Sequence, residues 1–497
     1  MVAHGFGVAE SSRREMMREY FSAVCFTIKR NKKGKEKMAS RKMDTEAVVR
    51  HIAELLVAAG GRALLVGGCV RDSLLGLNCK DFDMEVYGLS METIREILGR
   101  EYKLDFVGMA FGVLKVHYHD IDIALPRVEN KTNSGHKGFD VTFVPNLSYA
   151  DAASRRDFTV NAIMRDPLSG ELIDPWNGEK DLHDGVLRHV SSHFVEDPLR
   201  VLRAMQFAAR FDFHVAEETI KLCSTLSQDE LPPERIAVEW EKLLLKGRKP
   251  SKGLAFLRDC GWIDYYPELK ALIGCKQEPE WHPEGDVWEH TLRVVDAAAA
   301  MRHYAETENL MLMLAALCHD FGKPSTTTVD GRGRIISHGH DEAGVVPAES
   351  FIRRIWNKKE LDDVMPLVKR HMLPTLFFQT NAPDRAYRRL SLEVRSMELL
   401  ADLAECDLRG VEMPDELLKE KIARIDVFRE RANALNVMAE RPKPIVLGRH
   451  LMEHGIKPGP QMKPILDKCF DAQLNGEFND LPKALEYLDS LLKENQS

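Results

Sequence analysis

The spacing of apolar positions changes character along this chain. From residue 44 to about 190, short apolar runs alternate with helical spacings. Asp44-Thr45-Glu46 resembles a helix start, and Val48 to Ala59 keeps apolar side chains at helical intervals. Leu64-Leu65-Val66 reads as a short buried strand, stopped by Gly67-Gly68. Val70 to Leu75 returns to helical spacing with Arg71 in its first turn. FDMEVYG then reads as a strand, Met91 to Leu98 as a helix, and Val113–Val116 and Ile121–Ala124 as strands. Glu129 to Gly138 is polar and glycine-containing, which predicts a mobile loop. Beyond about 190 the strand signal fades. Helical spacing covers Glu196 to about Arg210, then 210–270 around a break at Leu231-Pro232-Pro233, then Trp288–Ala300 and Leu312–Leu317. It continues through 412–497, interrupted at Arg441–Pro444 and Gly455–Pro460. The pattern predicts an α/β head followed by a mostly α-helical remainder.

Composition narrows this picture. A chain of 497 residues exceeds one core, and the length prior is about three domains. No run of 18 apolar residues is present, so no membrane helix is expected. A net charge of −8 excludes a uniformly basic coat but leaves room for local basic grooves. Nine cysteines without a C-x-x-C pair suggest neither a zinc ribbon nor a disulfide framework, and fit a reducing cytoplasm. The first 42 residues carry eleven Lys and Arg against four acids, which predicts a disordered basic extension. No internal repeat and no obligate protein partner is evident.

Candidate chemistry begins at LLVGGCVRDSLLGLNCKDFD, residues 64–83. A diglycine lets a ligand approach the backbone with no Cβ in the way. Asp81 and Asp83, two apart on a strand, share one face. Paired carboxylates beside a glycine turn suit Mg²⁺ and phosphate chemistry, although D-x-D alone is more often two solvated acids. Asp122, on a later strand, would complete a two-metal set; a surface acid is an equal reading of it. Arg155 and Arg156, ahead of Asp157 and an apolar run, suit triphosphate or ribose oxygens, or else form a surface cluster.

Asp197, Arg200, Arg203 and Gln206 recur every three residues and would line one drifting face of the helix that opens near Glu196. A carboxylate accepts from the exocyclic amine of cytosine or adenine while a guanidinium donates to the adjacent ring nitrogen. Uracil and guanine would set like against like. An Asp/Arg pair is therefore a protein template for C and A. Such a face is also a common solvated one.

Together GGxVRDxLLG with DxD, R-R-D-F-T-x-N-A at 155–162 and E-D-x-x-R at 196–200 resemble the nucleotidyltransferase superfamily of class II CCA-adding tRNA nucleotidyltransferases and bacterial poly(A) polymerases. The resemblance implies a polymerase-beta-like head with a mixed sheet and helices, with Asp81, Asp83 and Asp122 catalytic and Mg²⁺ on Asp81 and Asp83. It places Gly68, Arg71 and Arg156 at the nucleotide, makes Asp197 and Arg200 base readers and has Arg203 support the nucleotide. The chain departs from the family at Gln206, where relatives commonly carry Arg. Implied partners are tRNA, at its 3′ end and acceptor arm, with CTP and ATP.

The ordered set His290, His319-Asp320, His340, His371 and Asp407 resembles the HD phosphohydrolase superfamily. Mixed imidazole and carboxylate suit a transition metal such as Ni²⁺, Mn²⁺ or Zn²⁺, without choosing among them. His338 fits the pattern less well than His340. The implied organisation is 1–43 extension, 44–190 head, 191–270 neck, 271–411 HD domain and 412–497 helical RNA-binding or packing region. The reading is CCA addition to tRNA in the cytoplasm with phosphohydrolase activity at the HD site. The alternatives are a poly(A) polymerase, a CC- or A-adding specialist, an HD phosphohydrolase with an inactive head, or a non-catalytic RNA-binding protein.

Overall fold

The computed structural model describes residues 45–79, 81–107, 112–131 and 139–494. The basic extension lies outside them. The chain divides into two compact units, residues 1–197 and 198–497.

The first unit is built on a seven-stranded mixed sheet. Its strands are β1 (Arg62–Val66), β2 (Phe82–Tyr87), β3 (Leu104–Val107), β4 (Val113–Val116), β5 (Ile121–Ala124) and, further along, β8 (Met164–Arg165) and β9 (Leu172–Ile173). The spatial order is β3-β4-β5-β2-β1-β8-β9. Only β2 and β5 pair in parallel among the described strand pairs of this sheet. Central β1 is buried from Ala63 to Val66, so it reads as an unbroken apolar run rather than an alternation. β2 alternates: Phe82, Met84 and Val86 face the core, while Asp83, Glu85 and Tyr87 share the other face. β6 (Arg127–Lys131) and β7 (Phe139–Phe143) form a separate antiparallel ribbon. Residues 129–131 are therefore strand and not loop, and the expected loop at 132–138 lies outside the described residues. Between β1 and the helix Gly68–Leu74, Gly67 takes φ +74 and ψ −133, a conformation open to glycine. A Cβ there would sit 2.9 Å from Arg156 Nη1, so the turn also needs the missing side chain for space.

The second unit is helical apart from a few two-residue strands among the described residues. Its core is the helix Glu306–Cys318, in which Leu310 to Cys318 are all buried. An all-round apolar helix has no solvent face, so other helices must enclose it. Those enclosing it are Pro233–Lys246, Val287–Ala300, Val364–Arg370 and Met397–Gly410. Trp240 ties helix Pro233–Lys246 to this core: its ring meets Tyr266 at 4.9 Å and Phe351 at 5.4 Å, and its Nε1 donates to Tyr266 OH at 2.9 Å. Residues 446–491 close a smaller core around Leu451, Phe478 and Leu488. No described helix is long and apolar enough to cross a membrane.

Helix Leu199–Phe211 corrects the expected face. Residues 192–196 are a 3₁₀ turn, and Asp197 is extended at φ −126, ψ 98. The helix begins only at Leu199, because the residue before Pro198 is disfavoured in the helical region. Asp197 is thus off the helix, and Gln206 is buried within it, with an Oε1 that has no hydrogen-bond partner among the described residues. Arg200, Arg203 and Arg210 are instead the positions of this helix that are not buried, and they fall on one side.

This helix packs on Pro250–Asp259 through Gly253, whose Cβ would lie 2.5 Å from the Met205 carbonyl oxygen and 2.6 Å from Leu243 Cδ1. In an exposed helix interior, Gly to Ala stabilises by roughly 1 kcal/mol. Here the sign should reverse: Gly253→Ala is expected to destabilise the protein by about 1–3 kcal/mol, read as a lower urea midpoint at unchanged slope. An unchanged or raised midpoint would show that the two backbones do not approach this closely.

Candidate catalytic and metal centres

In the first unit, the parallel register of β2 and β5 sets Asp83 directly beside Asp122. Asp81 lies one residue before β2, two positions from Asp83. Partial desolvation raises the Asp83 carboxyl above the usual aspartate range. The Asp122 and Asp81 carboxylates add to that rise, while Arg156 and Lys115 oppose it. Lys115, opposite Asp122 in the register, reaches it at 3.1 Å. Three acids repelling one another on and beside two adjacent interior strands form a hard-oxygen set that a divalent cation would neutralise, so these residues fit Mg²⁺.

The segment from Arg155 to Asn161 braces this edge. Glu85 is 2 % exposed, and its Oε1 accepts from Arg155 Nη2 at 2.9 Å and Arg156 Nη2 at 3.1 Å. Tyr87 OH donates to its other oxygen at 3.0 Å. Burial opposes the charge, but Arg156 and Arg155 hold Glu85 below the usual glutamate range. Anchored so, Arg156 brings its guanidinium to the Gly67 turn and into the field of Asp83. Asp157 Oδ1 accepts from Asn161 Nδ2 at 2.8 Å, and Asn161 Oδ1 accepts from Arg71 Nη1 at 2.5 Å. Arg71 also donates to Asp72 and is 4 % exposed. The structure therefore places Arg71 as a buried clamp between the glycine-turn helix and the Arg155–Asn161 segment, not at an open phosphate surface. Gly68 lies against it, with a Cβ position 3.5 Å from Arg71 Nη2. Glu85 and Asn161 escaped sequence reasoning, although Glu85 continues the i, i+2 series of Asp81 and Asp83.

Asp197 closes the first unit in extended backbone. Arg200 and Arg203 stand on the first turns of the helix that opens the second, and the Arg203 guanidinium lies 5.2 Å from the Phe207 ring centre.

In the second unit all six expected HD ligands converge. His319 and Asp320 follow the end of helix Glu306–Cys318; His290 and Asp407 come from two enclosing helices, and His371 from the end of a third. His340 opens the short helix His340–Ala343. Their donor atoms form two groups, His290–His319–Asp407 and Asp320–His340–His371, each within 4.8 Å. Asp320 joins them, with Oδ2 at 3.2 Å from His319 Nε2 and Oδ1 at 3.4 Å from His340 Nε2. His338 is exposed and outside both groups.

The tautomers test whether a metal fits. Nδ1 of His319, His340 and His371 lies 2.7–2.8 Å from the carbonyl three residues back, which holds the proton on Nδ1 and leaves Nε2 as a lone pair. His340 Nε2 and His371 Nε2 then face each other at 3.2 Å, and buried His319 Nε2 has no hydrogen-bond partner among the described residues. Converging lone pairs need a cation between them. Burial and the neighbouring His319 and His340 push His371 down to about 4, so a proton does not supply that charge at neutral pH.

Sequence reasoning missed the second layer. Glu284 Oε1 takes His290 Nδ1 and His282 Nδ1, each at 2.8 Å, and so fixes the His290 ring. Lys323 Nζ sits 2.7 Å from both Asp320 Oδ2 and Gln277 Oε1. Lys323 was visible in C-H-D-F-G-K, three residues after Asp320; Glu284 carried no signal beyond its nearness to His290.

Three family models match the chain: a poly A polymerase head domain over residues 63–188, a probable RNA and SrmB-binding site of polymerase A over 212–273, and an HD domain over 287–407. The multifunctional CCA protein of Ralstonia nicotianae is 40 % identical over 316 residues, covering 61 % of this chain and 70 % of the relative. That of Nitrosospira multiformis is 39 % identical over 315 residues, covering 62 % and 73 %. Among solved structures, the Bacillus stearothermophilus CCA-adding enzyme in complex with CTP matches with TM-score 0.59 at 23 % identity, covering 90 % of this chain and 97 % of that one. The Thermotoga maritima CCA-adding enzyme complexed with tRNA matches with TM-score 0.56 at 20 % identity, covering 90 % and 95 %. These two likenesses describe the fold.

The histidine cluster predicts a proton-coupled metal affinity. Burial opposes the His290 charge, but Asp407 and Glu284 raise its pKa to about 9. Below that value a metal ion must displace the proton, so affinity should rise up to tenfold per pH unit and level off above it. Calorimetric titration with Mn²⁺ in buffers of different ionisation enthalpy should find about one proton released at pH 7. Zero release would remove His290 from the ligand set.

Proposed function

The chain belongs to the family of multifunctional CCA proteins, and from that premise we propose that it adds the 3′-terminal CCA to tRNA from CTP and ATP without a nucleic-acid template. The observation that carries the reading is the register of Asp83 beside Asp122, with Arg156 held at the adjoining glycine turn. Mg²⁺ on Asp81, Asp83 and Asp122 would activate the RNA 3′-hydroxyl and neutralise the leaving pyrophosphate. Gly67 and Gly68 leave backbone open to the triphosphate. Arg156, pinned by Glu85, supplies a fixed cation there, and Arg71 acts by holding the turn in place. Asp197 and Arg200 read the base edge, accepting from the exocyclic amine and donating to the ring nitrogen. Arg203 supports the nucleotide. Residues 44–190 are then the catalytic head, 191–270 the neck, 271–411 the HD domain and 412–497 a helical region facing RNA.

At the HD centre the two ligand groups, bridged by Asp320, support two transition-metal ions such as Ni²⁺, Mn²⁺ or Zn²⁺. A metal there supplies Lewis-acid help to phosphoester cleavage, suited to trimming an RNA 3′ end before extension. Lys323 adds a cation beside Asp320 for a phosphate oxygen. A cytoplasmic setting agrees with the described cysteines, all of them free.

Purified protein given tRNA lacking CCA, with labelled CTP, ATP or both, should yield products longer by CC with CTP alone and by CCA with both. No incorporation with Mg²⁺ present would sink the proposal, and ATP-only tailing would move it to the poly(A) alternative. Asp83→Ala should lower addition on the order of a hundredfold or more while leaving Mn²⁺ binding at the HD centre intact. His319→Ala should do the converse. Asp197→Ala should raise the share of UTP misincorporation by roughly 10–100-fold, read from terminal nucleotides; unchanged selection would remove Asp197 from base reading.

A further inference from the structure

Residues 275–286, just before helix Val287–Ala300, form a loop closed at its base, where the Val287 N–H donates to the Cys275 carbonyl at 2.9 Å. Asp286 caps that helix through Oδ1, and its Oδ2 accepts from the Gly274 N–H at 2.6 Å. Midway, Glu278 Oε2 accepts from the Ile335 N–H at 2.8 Å, and the Glu278 carbonyl accepts from the Trp281 and His282 N–H groups at 3.0 and 2.9 Å. The loop so fixed gives the HD centre three side chains: Gln277 against Lys323, with His282 and Glu284 beside His290.

Two of its groups have no use within the protein. A lysine ammonium only donates, so the Gln277 oxygen is the atom that faces Lys323, and the amide NH₂ is left over. That Nε2 is buried and has no hydrogen-bond partner among the described residues, in a side chain belonging to a residue only 8 % exposed. A buried amide left unpaired is costly, and an oxygen ligand would remove that cost. Trp281 is the second group. Trp240, Trp262, Trp288 and Trp356 are buried, whereas Trp281 is 63 % exposed on a braced backbone. It adjoins His282, whose ring centre lies 5.0 Å from that of His290.

We propose that this loop recognises the terminal nucleotide of an RNA ending in a 3′-phosphate at the HD centre, with the Gln277 amide donating to a phosphate oxygen and the Trp281 ring stacking on the base. Gln277 also holds Lys323 beside Asp320, so amide and ammonium present donors from one place, as phosphate oxygens require. An indole face accepts every base, since each has a π face, and one such stack contributes about one to two orders of magnitude in affinity. The loop thus selects a nucleotide over a bare phosphoester without choosing among bases.

Cleavage of that end rests on the phosphoester reading of the HD centre; its capture does not. The full chain, without added metal so that the end stays intact, would be irradiated with a short RNA ending in 5-iodocytidine, carrying either a 3′-phosphate or a 3′-hydroxyl. Adducts would be mapped by peptide mass spectrometry. An adduct at Trp281 is expected, several-fold stronger with the 3′-phosphate. Gln277→Glu keeps an acceptor for Lys323 but loses the donor, and should abolish that preference. RNA captured only elsewhere overturns the loop's role, and a preference that is absent or survives Gln277→Glu overturns the amide's. In the Mn²⁺-loaded protein, Trp281→Ala should raise KM for the phosphate-ended RNA by about tenfold or more at near-constant kcat, with Trp281→Phe restoring it. An unchanged KM overturns the stacking. If the wild type cleaves nothing, the hydrolytic reading fails, and the adduct map alone still decides whether the loop holds RNA.

Discussion

The buried charge of Glu85 is the interaction on which the head depends. A lone carboxylate in the middle of a sheet would be costly, and two guanidiniums and a tyrosine hydroxyl compensate it. That compensation has a direction. Arg155 and Arg156 come from a segment that β2 does not touch in sequence, and the pairing draws it against the sheet. Once drawn in, Arg156 stands at the only kind of turn that would admit it, one without a Cβ. Asp157, Asn161 and Arg71 then carry the same brace to the helix after the turn. The acids at Asp83 and Asp122 are thereby set on a rigid edge with a cation at hand, and preorganisation of this sort is what phosphoryl chemistry asks of a protein.

The second unit solves a comparable problem with an apolar element. From Leu310 onward helix Glu306–Cys318 is enclosed on every side, and it ends at His319 and Asp320. The walls that enclose it deliver His290, His371 and Asp407 to its tip. Hydrogen bonds to main-chain carbonyls and to Glu284 then fix which ring nitrogen faces inward. Position comes from hydrophobic packing and ligand character from these hydrogen bonds.

Much of this was legible in the residues. Alternation in FDMEVYG set Asp83 on the face opposite Phe82 and Met84, and the run at Leu312–Leu317 announced a core helix. The ligand order of the HD set was readable because His290 sits on one predicted helix, His319-Asp320 end another, and His340, His371 and Asp407 follow in the order of the superfamily's pattern. What sequence could not show was pairing across distance. Glu85 looks like any strand acid until Arg155 and Arg156, seventy residues on, are folded onto it. Arg71 looks exposed in a helix of six residues, yet Asn161 buries it. The three-residue spacing from Asp197 to Gln206 misled for a local reason: Pro198 holds Asp197 extended, so the periodicity begins two residues later and runs through Arg200, Arg203 and Arg210.

The enclosed helix has a consequence for the metal centre. Small zinc modules unfold when the ion leaves, since the ion is much of what holds them together. Here nine successive buried residues and the aromatic group around Trp240 already hold the bundle. An ion bound there would therefore sit on a scaffold held by other contacts, and the ligand set is separable from the fold. Substituting the ligands one by one would then leave the bundle in place, so the six ligands are not a requirement of the architecture.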